Sequence, residues 1–446
     1  VNNSHTACCQ NAVADAARPQ IFTNARIIDP VSGRDECGSL LIADGKILSS
    51  GAGGRNQGAP DGAIQHDCSG KAIIPGLIDT DSYIGAAERP AEATAAAASL
   101  AAAKGGITAL IAISDKGGAV YDSPASVRAL KTAAQSGAAI YPAAALTKAL
   151  EGRELTEYGL CRAGGAVALA DGQISHANAQ ILRRAFTYAR ACSLPIIAET
   201  QDSALSHNAV ATESFKASLM GLNAAPAEAE ALALARDIAL VRLTGAAYHA
   251  AHISTAAAVA LIKAAKEEGL PVSAGVSINH LSFNEQDISG YNSCRRFYPP
   301  LRAEEDRQAV IAALREGVID CINSCHQPRG WDAKTRPFPE AAPGSAGLAT
   351  LWPAALRLYH NNELPLLRLI ETLSSAPARL FGLPGGSLAA GAAADFAIVD
   401  LDTPWQFRQA EQPVSAGISA FDGARFEGRI AATYIGGNCL YQRENA

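Results

Sequence analysis

Two textures of hydrophobic and polar positions alternate along this chain. From Ile21 onward, short apolar runs alternate with polar positions and break at turn residues: IFTNARIID stops at Pro30 and Gly33, and SLLIADGKILSSG carries Asp44-Gly45 at its centre. A period of two marks half-buried strands, and an Asp-Gly pair between two of them marks a tight hairpin. The same texture returns near the C-terminus in ADFAIVDLD and in GRIAATYIGGNCLY, whose turn is Gly436-Gly437. The two ends are expected to pair into one small satellite β domain, built from residues 21–70 and 384–446.

Between them, over residues 71–383, continuous apolar runs alternate with Ala-rich segments long enough for helices. The runs are AIIPGLID, ITALIAIS, AAIYPAAAL, GAVALA, LPIIAE, AAYHAAH, LPVSAGVS and VIDCINS, eight in all. Strands without polar alternation are buried on both faces, and eight of them alternating with helices predict an α/β fold, the closed (β/α)8 or TIM barrel. In that fold chemistry sits at the C-terminal ends of the strands, so the residues ending these runs are where function is sought. Lys104 with the two glycines after it reads as a helix end and tight turn. Residues 1–20 are polar and Ala-rich without a period, and are expected to form a flexible arm.

Composition narrows the class. The 446 residues are 48% hydrophobic and 18% charged, which fits a chain that buries a large core. The formal charge is −6 and no basic run is present, so neither nucleic acid nor an anionic membrane is an expected partner. No run of about 18 apolar residues occurs and no signal-peptide pattern opens the chain, so a cytoplasmic location is expected. Ten cysteines, scattered except for Cys8-Cys9, form no CxxC framework and are expected to be reduced thiols.

Six blocks carry a more specific signal: PGLID (Pro75 to Asp79), AKGGITAL (Ala103 to Leu110), APAEAEALALARDIALVRLTGAAYHAAHIST (Ala225 to Thr255), YPPLR (Tyr298 to Arg302), IDCINSCHQPR (Ile319 to Arg329) and SSAPARLFGLPGGSLAAGAAADFAIVD (Ser374 to Asp400). In order and spacing the chain after residue 20 resembles the dihydroorotase branch of the amidohydrolases. The resemblance implies a metal-dependent barrel that interconverts carbamoyl aspartate and dihydroorotate in pyrimidine synthesis. It also implies a ligand set: DxHxH after the first strand, an acid or modified lysine after the fourth, histidines after the fifth and sixth, and an aspartate after the eighth.

Against that pattern most positions differ. DxHxH becomes Asp79-Thr80-Asp81-Ser82-Tyr83, so both histidines are replaced, by Asp81 and Tyr83. Glu199 stands where the fifth-strand histidine is expected, and Cys325 where the eighth-strand aspartate, the general base, is expected. His252 remains, with Asp171 as a remnant of the bridging acid. Among the positions that the resemblance assigns to substrate, the arginine is Gly85, the two asparagines are Asp115 and Tyr298, and His326 alone matches. Glycine cannot replace a guanidinium fork, and a carboxylate at Asp115 is expected to repel an anionic substrate. Asp79 is read as a hydrogen-bonding strut and His249 as a core histidine, and His280 has two readings, an inherited site residue or, without a metal, a residue that fixes a loop.

The expectation drawn from these replacements is a non-enzyme: a pseudo-dihydroorotase with no catalytic residue, no metal and no cofactor. The resemblance supplies a partner for such a chain, the catalytic chain of aspartate carbamoyltransferase, beside which it would act as an assembly subunit and form homo-oligomer contacts. Asp81, Asp171, Glu199, His252 and Cys325 are nonetheless all chemically able to bind zinc. The alternative is therefore an active zinc-dependent dihydroorotase or cyclic amidohydrolase with a site rebuilt around His252, Asp171 and Glu199. A sensor using the old pocket is a third reading.

Overall fold

The computed structural model describes residues 18–52, 60, 62–84, 91–133, 137–412 and 417–443. Most of the expected N-terminal arm, the Cys8-Cys9 pair and Gly85 lie outside the described residues.

Both chain ends build one eight-stranded sheet. Its strands are β1 (Gln20–Asp29), β2 (Arg34–Ala43), β3 (Lys46–Gly51), β4 (Ile64–Asp67) and β5 (Ala72–Pro75), then β16 (Phe396–Gln406), β17 (Arg425–Ile435) and β18 (Asn438–Gln442). They lie in the order β18-β17-β16-β5-β1-β2-β3, with β4 also paired to β1. Both expected hairpins are present: Asp44 (φ 50°) with Gly45 (φ 72°), and Gly436 (φ 55°) with Gly437 (φ 77°), hold the left-handed backbone that such turns require. Alternation sorts the side chains. Ile27, Ile73 and Phe396 face one core around Phe22 and Tyr434, while Ile28, Ile74 and Ala397 face the barrel's helical layer.

The second sheet is the barrel: β6 (Leu77–Ser82), β7 (Ile107–Ala112), β8 (Ala139–Ala144), β9 (Ala168–Leu169), β10 (Ile196–Ala198), β13 (Tyr248–Ala250), β14 (Val272–Ser277) and β15 (Cys321–Asn323). Between β10 and β13 a short parallel pair intervenes, β11 (Ala211–Thr212) with β12 (Ala224–Ala225). The eight barrel strands are parallel in chain order. The first and last strand ends meet through a bridge between Ser82 and His326, with Tyr83 N donating to His326 O at 2.7 Å and His326 N to Asp81 O at 3.2 Å. Small side chains such as Ala109, Ala143, Ala168 and Ala251 fill the interior with Ile78, Ile111, Ile197 and Phe381.

The run AIIPGLID, expected as one strand, serves both sheets. It divides at Gly76: β5 pairs with β1 and β16, whereas β6 pairs with β7. A Cβ at Gly76 would lie 2.3 Å from both Thr108 Cγ2 and Oγ1, so only glycine lets the chain pass from one sheet to the other at this closeness. The eight cysteines among the described residues are free thiols. Among the described residues, no helix is long and apolar enough to cross a membrane.

Candidate metal centre

Strand ends set the site. Asp79 and Asp81 lie on β6, where all six residues are buried. Asp79 is the strut that the sequence suggested: Oδ1 accepts from Ser324 N at 2.7 Å and Oδ2 from Ser324 Oγ at 2.5 Å and from Ser82 Oγ. Ser324 follows β15, so this carboxylate joins the first barrel strand to the last. Its burial pushes its pKa up, against the opposing pull of those hydrogen bonds. Cys325 comes next in the chain with φ 44°, a left-handed backbone that a residue bearing a Cβ adopts at a cost.

Asp81, His252 and Cys325 each offer a buried donor atom, and these atoms all lie within 4.8 Å of one another. His252 Nδ1 meets Glu199 Oε2 at 2.9 Å, and Nε2 faces Asp81 Oδ2 at 3.7 Å. Three buried polar atoms here have no hydrogen-bond partner: Asp81 Oδ1, Glu199 Oε1 and His252 Nε2. Burial raises the Asp81 carboxyl to about 7, with Asp79 and Glu199 adding to the rise and His252 opposing it. Burial lowers His252, but the neighbouring Cys325, Asp81 and Glu199 outweigh it and hold the imidazole well above its usual value. Burial raises the Cys325 thiol, opposed by His252. A carboxylate, an imidazole and a sulfur whose donor atoms lie within 4.8 Å of one another form a donor set that suits zinc, which would bind in exchange for the imidazole and thiol protons, and the residues present therefore fit one such ion.

The other sequence-predicted positions separate by role. Tyr83 is buried beside this group, its phenol held protonated by burial and by Asp81, Cys325 and Glu199. Asp171 stands outside the donor group: it accepts from Leu146 N at 2.7 Å, Thr147 N at 3.2 Å and Thr147 Oγ1 at 2.6 Å, and pairs with His176 at 2.5 Å. Tyr298 lies between β14 and β15, its hydroxyl 3.4 Å from Ser206 Oγ, with burial raising its pKa to about 12. His326 accepts from Gly347 N at 3.2 Å through Nδ1 and, being buried, falls to about 3. His249 bonds Ser273 Oγ at 2.8 Å through Nδ1 inside the barrel and has no partner for Nε2, so this core histidine is only half satisfied. His280 bonds Pro299 O at 3.1 Å and fixes that loop.

Asp115 requires a correction. The expected repulsion of an anion is offset, because Arg329, from the loop after β15, reaches Asp115 Oδ2 at 3.3 Å. Sequence reasoning missed Arg329. Its signal was present in CHQPR, but the pairing joins loops after the second and eighth barrel strands.

The profile of the amidohydrolase family matches residues 72–440, and the chain belongs to that family. Within it, the chain is 36% identical over 425 residues to the dihydroorotase of Anaeromyxobacter dehalogenans (strain 2CP-1 / ATCC BAA-258), covering 94% of this chain and 97% of the relative. It is 32% identical over 420 residues to the dihydroorotase of Endomicrobium trichonymphae, covering 94% and 98%. In fold it is similar to the L-hydantoinase (dihydropyrimidinase) from Arthrobacter aurescens, with a TM-score of 0.82, 22% identity and coverage of 95% and 96%. A dihydropyrimidinase from Brevibacillus agri NCHU1002 gives a TM-score of 0.80 at 19% identity, covering 95% of each chain.

These relatives overturn the expectation of a non-enzyme. Over nearly its whole length the chain is similar to proteins named as dihydroorotases and folded like other hydrolytic enzymes, which points to an enzyme. The physical reason the substitutions misled is that Asp81 and Cys325 are still donors, and the barrel brings them to the retained His252.

Proposed function

We propose that this chain is a zinc-dependent cyclic amidohydrolase of the dihydroorotase type, interconverting dihydroorotate and carbamoyl aspartate in pyrimidine biosynthesis through a rebuilt single-metal site. The observation that carries the proposal is the buried trio Asp81, His252 and Cys325, whose donor atoms lie within 4.8 Å of one another, with Asp81 Oδ1 lacking a hydrogen-bond partner. Zinc bound there would supply Lewis acidity toward the ring amide and toward water.

The chain's own residues divide the remaining work. Glu199 Oε2 takes the Nδ1 side of His252, which fixes the imidazole and turns Nε2 to the site. Glu199 Oε1, buried and unpartnered, is the position from which a proton passes between water and the ring nitrogen. Tyr83 stays protonated and donates toward developing negative charge. Arg329 takes the substrate carboxylate in place of the arginine expected at Gly85, with Asp115 holding its guanidinium. We also propose the catalytic chain of aspartate carbamoyltransferase as a partner, a reading that rests on the sequence resemblance; co-purification tests it.

The deciding experiment is dihydroorotate hydrolysis by the purified chain. Turnover that a chelator abolishes and zinc restores, and that His252→Ala lacks, is the expected result. Absence of turnover in chain reconstituted with zinc would overturn the proposal.

A further inference from the structure

Behind the donor trio lies a second buried polar group that the chemistry above leaves unused. Glu230, in the first turn of helix Glu228–Thr244, has no exposed surface, and Arg302 is 2% exposed. Glu230 Oε1 accepts from Ser254 N at 2.8 Å and from Thr255 N at 3.3 Å, and Ser254 Oγ donates to Oε2. Arg302 Nε donates to Ser254 Oγ at 3.0 Å and Nη1 to Thr212 Oγ1 at 3.2 Å. Its Nη2 donates to Gln201 Oε1 at 3.2 Å and reaches Glu230 Oε2 at 3.5 Å.

The residues these two side chains hold are significant. Ser254 follows His252 by two positions and Gln201 follows Glu199 by two, so one ion pair grips both segments whose side chains meet at 2.9 Å in the site. A buried ion pair is a poor source of stability: burial strips both charges of water, and apolar residues of similar volume commonly replace such a pair without loss. The attraction between the two charges is therefore a weak reason to keep them here, and what the two side chains add is the set of hydrogen bonds to Ser254, Thr255, Gln201 and Thr212. Position beyond the strands gives the stronger reason: the backbone ladder between β10 and β13 runs as far as Ala251 N to Ala198 O at 2.9 Å, one residue short of both His252 and Glu199, and the ion pair holds the segments that follow them.

We propose that Glu230 and Arg302 are positioning residues that set the Glu199–His252 hydrogen bond and, through it, the zinc affinity of the donor trio. The second half of this statement rests on the zinc reading above; the first half does not.

The test is the double variant Glu230→Leu/Arg302→Met in the full chain, with Glu230→Gln as the conservative comparison. Metal-free melting temperature, zinc affinity by competition with a chromophoric chelator, and the crystal structure are measured for each. The expected result is a folded double variant whose melting temperature is lowered by the loss of the acceptor for Ser254 N, Thr255 N and Ser254 Oγ, with zinc binding weakened about tenfold or more and a lost Glu199–His252 bond, and in Glu230→Gln a smaller loss of zinc affinity. Zinc affinity within twofold of the parent in a folded double variant would overturn the proposal. If the double variant does not fold, Glu230→Gln carries the test, and an unchanged Glu199–His252 separation with zinc affinity within twofold of the parent in that variant would overturn the proposal. If the parent itself binds no zinc, the metal reading fails alone, and the positioning claim stands or falls on the Glu199–His252 separation in the variant crystal.

Discussion

Replacing Asp79 with alanine would remove one acceptor group and strand three donors inside the barrel: Ser324 N, Ser324 Oγ and Ser82 Oγ. A buried donor left without a partner costs about 1–3 kcal/mol. The backbone N–H cannot turn away, whereas the two hydroxyls can rotate toward other acceptors, so the sum for Asp79→Ala is about 3–5 kcal/mol. Asp79→Asn behaves differently. Its remaining oxygen still accepts from Ser324 N, its amide nitrogen donates to hydroxyls that then act as acceptors, and no buried charge has to be accommodated, so the loss is about 1 kcal/mol. Urea unfolding of the barrel, followed by far-ultraviolet circular dichroism, measures both. Equal losses for the two variants, or a loss below about 1 kcal/mol for Asp79→Ala, would refute the idea that this carboxylate ties the first strand to the last. The same break should loosen Asp81 from Cys325, which flank the strut, and weaken metal binding in Asp79→Ala well beyond Asp79→Asn.

Three further outcomes follow from single residues. Burial holds His280 at about 3, so below its ordinary 6.5 the unfolded chain binds a proton that the native chain refuses, and stability falls as pH drops through that window. His280→Gln should therefore gain on the parent by about 2 kcal/mol between pH 6.5 and 5, read from urea midpoints; a constant difference contradicts this. Lys334 is lowered by burial to about 7 from 10.5, so between those values the unfolded chain holds the extra proton and stability rises with pH. Lys334→Met should flatten that rise by about 1.4 kcal/mol per pH unit, and an unaltered slope would show the ammonium to be solvated. Gly76→Ala drives a Cβ into Thr108 and should cost about 3 kcal/mol, of which Thr108→Ala in the same chain should recover a part; strictly additive losses would contradict the clash.

The barrel was legible in the sequence because each buried strand leaves a continuous apolar run, and the hairpins because their turns demand particular residues. The division at Gly76 was not, since AIIP and LID carry the same apolar texture while belonging to different sheets. At the site, the substitutions themselves were readable and their combined effect was not. Read singly, Asp81 and Cys325 are losses from a histidine and aspartate pattern; grouped by the closing bridge between Ser82 and His326, they are two donors beside His252. Asp171, which looked like a surviving ligand, spends its oxygens on Leu146, Thr147 and His176, a commitment made by backbone N–H groups that no residue pattern discloses. The offset of Asp115 by Arg329 was hidden for the same reason, because it depends on two loops meeting.

The central claim is that Asp81, His252 and Cys325 together hold one metal ion, and cobalt substitution tests it most directly. Cobalt added to the metal-free chain should bind one equivalent with a thiolate-to-metal charge-transfer band, and zinc should displace it. Cys325→Ser should lose the band, and His252→Ala should lose binding at that site. Cobalt that fails to bind, or that binds with the same spectrum in the parent and in Cys325→Ser, would contradict the account.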